Sequence, residues 1–126
     1  MLPFFSECYG NASTIYSLGS SSKEAINEAR KNIADVLGAK QEEIYFTAGG
    51  SEADNWALKA AAEAYKAKGN HIITSKIEHH AILHTCEWLE KQGFEVTYLD
   101  WDADGKVSPE ELKKAIPPET ILITIM

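Results

Sequence analysis

Glu43-Ile44-Tyr45-Phe46-Thr47-Ala48-Gly49-Gly50-Ser51-Glu52-Ala53-Asp54-Asn55 is the stretch on which the reading of the fold turns. Residues 43–47 are apolar and aromatic enough to predict a short strand. At Gly49-Gly50 it gives way to an alanine-rich helix from Ser51 to about Lys68. Two glycines let the backbone turn tightly and let a ligand approach main-chain N–H groups. Ser51 adds a hydroxyl beside the unpaired donors of a helix N-terminus, whose partial positive charge favours an anion such as phosphate. The corner is no Walker loop, because no Gly-Lys-Ser/Thr follows, and no dinucleotide fingerprint, because the third glycine is missing. Taken alone, it also fits a plain tight turn with Ser51 as N-cap.

On either side, helical and extended patterns alternate. Ser21-Ser22-Lys23-Glu24 has the form of a capping box. Ile26, Ala29, Ile33 and Val36 then mark an apolar helical face, stopped by Gly38. In the helix after Ser51, Trp56, Ala57, Ala60 and Ala64 share one side, and Gly69-Asn70 ends it. His71 to Thr74 predicts a strand. His80 to Gln92 predicts a helix with Ile82, Cys86 and Leu89 inward, closed by Gly93. Phe94 to Leu99 predicts the next strand. Ser108-Pro109-Glu110-Glu111 reads as a second capping box with proline at the first helical position. Ile121 to Met126 is the last expected strand. Strands separated by helices imply an α/β fold with a mainly parallel sheet.

The 126 residues suit a single domain over 1–126, and 44% hydrophobic with 25% charged residues supports a core. Twelve Lys+Arg against nineteen Asp+Glu give a net charge of −7, which disfavours nucleic acid or an anionic membrane as partner. Met1-Leu2-Pro3-Phe4-Phe5 lacks the basic region and long apolar core of a signal peptide. No apolar run is long enough for a membrane span. Cys8 and Cys86 form no disulfide framework, so a reduced, cytoplasmic compartment is expected. Cys86 falls on an apolar helical face and is expected in the core.

Ile77-Glu78-His79-His80-Ala81 ends the His71 strand and delivers two adjacent histidines. By itself, His79 fits a strand-end histidine bonded to backbone, and His80 a solvated first-turn residue. His80 and His84 have zinc-ligand spacing. Ala81 stands where a metalloprotease needs Glu, however, and no third ligand is positioned, so no metal site is expected. The segment from Asp100 to Glu111 satisfies the EF-hand calcium pattern through Gly105. The run before it reads as a strand, where an EF-hand needs an entering helix. A non-catalytic calcium-binding module is the alternative that this loop leaves open.

The Thr47–Asn55 and Ile77–Ala81 segments together, with Tyr9-Gly10-Asn11, Ile15-Tyr16-Ser17-Leu18-Gly19 and Ile121–Met126, resemble the class V aminotransferase family, most closely its cysteine desulfurases. Ala12 and Ser20 depart from that pattern, where members carry Pro and often Arg. The resemblance implies a fragment of the large pyridoxal 5′-phosphate (PLP) domain of a fold type I enzyme. It implies that Gly50 and Ser51 hold the PLP phosphate and that His79 stacks on the cofactor ring and handles protons. The implied activity converts L-cysteine to L-alanine and passes sulfur as an enzyme persulfide to iron–sulfur cluster or thiocofactor assembly. A selenocysteine lyase is the nearest enzymatic alternative. The resemblance further implies a homodimer and a sulfur-acceptor protein. It places the Schiff-base lysine and the persulfide cysteine beyond Met126, so that the 126 residues alone are expected to be inactive.

Overall fold

No position is exposed in His71-Ile72-Ile73-Thr74-Ser75. A strand buried on both faces is what a parallel sheet covered by helices requires. The computed structural model describes residues 2–126. In chain order these form α1 (Pro3–Ser6), α2 (Ser17–Leu37), a 3-10 turn (Gln41–Glu43), α3 (Gly50–Tyr65), β1 (His71–Ser75), α4 (His80–Lys91), β2 (Glu95–Leu99), α5 (Pro109–Lys114) and β3 (Thr120–Ile123). They fall into two compact units, Met1–Phe46 and Thr47–Met126.

The second unit is built on the sheet β2-β1-β3, with both pairings parallel. The expected α/β fold with a parallel sheet is therefore the one observed. His71 to Ser75 pair in register with Glu95 to Leu99. On the other side the ladder shifts between His71 and Ile72, then pairs Ile72 with Leu122 and Ile73 with Ile123. Thr124 N–H still donates to Ile73 O at 2.9 Å, so pairing outlasts the regular strand by one residue. Leu58 and Ala62 of α3 pack with Ile82, Cys86 and Leu89 of α4 against Ile72. Each large side chain buried there contributes roughly 1.5–3 kcal/mol. Gly93, at φ +94°, ends α4 as its residue type suggests. The His71 ring bridges all three strands, lying 2.8 Å from both Thr97 Oγ1 and Thr120 Oγ1.

Several sequence expectations need correction here. The buried face of α3 carries Leu58 and Ala62, whereas Trp56, Ala57, Ala60 and Ala64 are exposed. Alanine spacing misled because small residues tolerate either face, while Leu58 is the one large aliphatic side chain of the helix. At α5 only half of the capping box forms: Ser108 Oγ accepts Glu111 N–H at 3.3 Å, while the Ser108 hydroxyl donates to Glu110.

In the first unit, α2 begins at Ser17 instead of after a Ser21 cap, and Tyr16, in extended conformation, precedes it. Gly19 explains the early start. A Cβ there would lie 2.0 Å from Thr14 Oγ1 and 2.4 Å from Asn11 O, so the 11–16 loop rests on the helix's first turn. Asn11 folds that loop by accepting Ser13 N–H on its side chain and Thr14 N–H on its carbonyl. Gly38, at φ +66°, stops the helix as expected. The Ile26/Ala29/Ile33/Val36 face is exposed, Val36 at 87%; Ser22 and Ala34 are buried instead. Residues 44–47 do not form the predicted strand. Ile44 is extended, but its carbonyl accepts Arg30 Nε at 3.2 Å where a ladder partner would donate, and the Arg30 guanidinium sits over Phe46.

Candidate functional site

The corner at Gly49-Gly50-Ser51 is an open helix start. Gly49 is the cap residue, in fully extended conformation, and no side chain caps the helix. Ser51 is thus the second helical residue and not the N-cap. The backbone N–H groups of Gly50, Ser51 and Glu52 have no partner among the described residues; the first satisfied donor is Ala53 N–H, on Gly49 O at 3.1 Å. Three unpaired donors and the helix dipole suit an anion. The one nearby acid, Glu52, turns back and accepts Ala48 N–H at 2.7 Å. A Cβ at Gly49 or Gly50 would meet nothing within 4 Å, so the space beside these two glycines is open.

The second corner follows the C-terminal end of β1. His79 is the N-cap of α4, and its Nδ1 accepts Ala81 N–H at 3.1 Å. The plain reading of His79 as a backbone-bonded histidine holds for that nitrogen. Because Nδ1 offers its lone pair, the neutral ring carries its proton on Nε2, which has no partner among the described residues. The sheet order also matters. The chain steps from β1 to β2 on one side, then returns to place β3 on the other. Ligands of open parallel sheets settle at the strands' carboxyl ends beside such a reversal, and His79 stands there.

Ser51 and His79 line one cavity of about 490 Å³; Gly50 adjoins it as the first residue of α3. Sequence reasoning missed the remainder of the lining, although a signal was there. Ser51, Asn55 and Lys59 recur every four residues on α3, and His80, His84 and Trp88 do so on α4. Asn55 donates to Ser51 O at 2.9 Å and accepts Lys59 Nζ at 2.9 Å. That ammonium lies 4.8 Å from the Trp88 ring centroid. The cavity therefore joins a cation and free N–H donors at one wall to imidazole rings at the other.

Other candidates resolve differently. The run before the EF-hand-like loop is strand β2, so the entering helix of a calcium module is replaced. Asp100 pairs with Lys76 Nζ at 2.6 Å, and Asp102 Oδ1 accepts the N–H groups of Asp104 and Lys106 at 2.9 Å. His84 reaches Glu87 at 3.3 Å on the exposed side of α4. Cys86 is fully buried, as expected, and burial, with Glu90 and Glu78 nearby, raises its thiol pKa to about 11. Cys8 is exposed.

The family model for aminotransferase class V matches residues 1–126. The chain belongs to the class V aminotransferase family. Over all 126 residues this class V chain is 64% identical to a cysteine desulfurase IscS of Methanosarcina thermophila and 60% identical to that of Clostridium botulinum strain Kyoto. It covers 31% and 32% of those proteins, so it spans about a third of the length of the curated relatives it matches. Among solved structures, a NifS-like protein superposes with a TM-score of 0.90 at 38% identity, covering 99% of this chain and 34% of the other. SspA in complex with cysteine superposes at 0.85 with 44% identity, covering 98% and 35%. Among the described residues of this class V chain, no helix is long and apolar enough to cross a membrane.

Proposed function

We propose that these 126 residues are part of the large cofactor domain of a PLP-dependent cysteine desulfurase, which converts L-cysteine to L-alanine and passes the sulfur on as an enzyme persulfide. The curated relatives matched over the whole chain carry that activity in their names, which favours it over a selenocysteine lyase. The single observation that carries the reading is the shared cavity of Ser51 and His79. An anion site and an imidazole with a free Nε2 are what a phosphorylated aromatic aldehyde needs at its two ends.

In this reading Gly50 N–H, Ser51 N–H and the Ser51 hydroxyl hold the cofactor phosphate. His79 lies against the ring and exchanges protons through Nε2, with Nδ1 kept on Ala81 N–H. PLP, when bound, supplies the electron sink that lets the substrate's C–S bond be broken. Lys76, engaged with Asp100, is given no cofactor role. The parent is read as a cytoplasmic homodimer that delivers sulfur to an acceptor protein for iron–sulfur cluster or thiocofactor assembly.

The test uses the whole parent protein, reconstituted with PLP and given L-cysteine. Equal formation of alanine and transferable sulfur is expected, with His79→Ala impairing turnover by about 100-fold, the scale of a lost general acid–base group. Unchanged turnover in that variant would remove His79 from the site.

A further inference from the structure

Glu78 is an acid in the wrong place for an ordinary surface residue. It is 7% exposed, and no ion pair reaches it among the described residues. Its Oε1 accepts two donors. One is the hydroxyl of Ser75, the last residue of β1, at 3.0 Å; the other is the backbone N–H of Met126, just past β3, at 2.5 Å. A buried acidic side chain without a cation is costly, and such groups persist where their hydrogen bonds fix something. What lies next to this one in the chain is His79.

We propose that Glu78 is a positioning residue for His79. It clamps the turn between β1 and α4 to the ends of both strands that flank the sheet's reversal point. The turn is short: Lys76 N–H is tied to Leu99 O at 3.0 Å, and Ala81 N–H to His79 Nδ1 at 3.1 Å. With Glu78 held by Ser75 and Met126, the path from β1 to the His79 ring is anchored at Lys76, Glu78 and His79. The ring's distance from the Ser51 corner then follows from the sheet and not from a free loop. Glu78 acts as an acceptor, and its charge has no part in the chemistry. The proposal rests on the reading of His79 given above.

The test is a double-mutant cycle in the whole parent protein with PLP bound, read by turnover of L-cysteine and by the visible absorption band of the resting protein. His79→Ala sets the reference. Glu78→Ala is expected to lower kcat about 10- to 100-fold with little change in KM, as a misplaced catalytic group does. It should also shift the resting band in the same direction as His79→Ala. Glu78→Gln keeps a carbonyl acceptor and should stay within about twofold of the wild type on both readouts. Glu78→Ala should add little to a protein that already lacks His79, since both changes remove one arrangement. Additive losses, or a Glu78→Gln as impaired as Glu78→Ala, would overturn the positioning role while leaving the reading of His79 standing. A silent His79→Ala would instead sink that reading and this proposal with it. Should Glu78→Ala fail to fold, Ser75→Ala removes one donor and leaves the carboxyl group. A several-fold loss that vanishes in the His79→Ala background supports the clamp, and an additive one refutes it.

Discussion

The two strand-to-helix corners that meet at the cavity are built on opposite principles. At Gly49-Gly50-Ser51 the backbone is left unpaired: three N–H groups have no partner among the described residues and no side chain caps α3. At Ser75–His79 the chain is tied at several points: the cap is the His79 ring itself, and Glu78 takes donors from Ser75 at the end of β1 and from Met126 just past β3. Unpaired donors are destabilising for a helix end until an anion arrives, whereas a fixed ring must hold its place before the ligand comes. On the proposed reading, the first corner serves binding and the second orientation.

Placing a negative charge where the anion should sit ought to break the first corner most severely. In the parent, Ser51→Asp is expected to weaken PLP binding by about 100-fold or more, since a charged hydrogen bond is replaced by repulsion. Absorbance titration of the apoprotein measures it. Retained affinity would show that the open corner is not the phosphate site.

The glycines sharpen the same comparison. Gly69 is packed: a Cβ would lie 2.1 Å from Glu119 O and 2.7 Å from its carbonyl carbon. Gly69→Ala should therefore cost about 1–3 kcal/mol of stability by overpacking. Gly49→Ala meets nothing and should stay within about 0.5 kcal/mol in the same denaturant titration. Equal costs at both sites would mean that the corner is not open.

A smaller effect concerns the helix behind His79. Burial holds the Cys86 thiol near pKa 11, against 9.0 when exposed. The unfolded chain therefore loses that proton first as pH rises. The stability that the neutral thiol contributes is intact below pH 9 and declines between pH 9 and 11. Urea midpoints across that range should fall more steeply for the wild type than for Cys86→Ala. Parallel slopes would place the thiol in water.

Much of this arrangement is legible in the chain, and the gaps have physical causes. The strands around His71 and Val96, and the α4 face of Ile82, Cys86 and Leu89, follow from apolar runs and period alone. Gly38 and Gly93 marked helix ends because both adopt positive φ. The start of α2 was not visible, since it is set by a loop packing against Gly19 and not by a capping side chain. Residues 44–47 have strand propensity, but Arg30 answers the Ile44 carbonyl, so composition misread them. Of the site, Ser51 and His79 were reached through family resemblance. Asn55, Lys59 and Trp88 were not. Asn55 and Lys59 share a period-four face of α3 opposite the alanines that dominate its composition, and Trp88 meets them only because α4 packs beside α3, a tertiary contact with no local signature. The clamp on Glu78 needs contacts 48 residues apart and has no local signature.

The central claim is that Ser51 reads the cofactor's phosphate and His79 its ring. The direct measurement is the preference of the parent apoprotein for PLP over pyridoxal, which lacks the phosphate, in the wild type, Ser51→Ala and His79→Ala. The account predicts that Ser51→Ala narrows the preference about 10-fold, the scale of one charge-assisted hydrogen bond, while His79→Ala weakens both ligands alike and leaves the ratio unchanged. A Ser51→Ala protein that keeps the full preference, or a His79→Ala protein that loses it, would contradict the account.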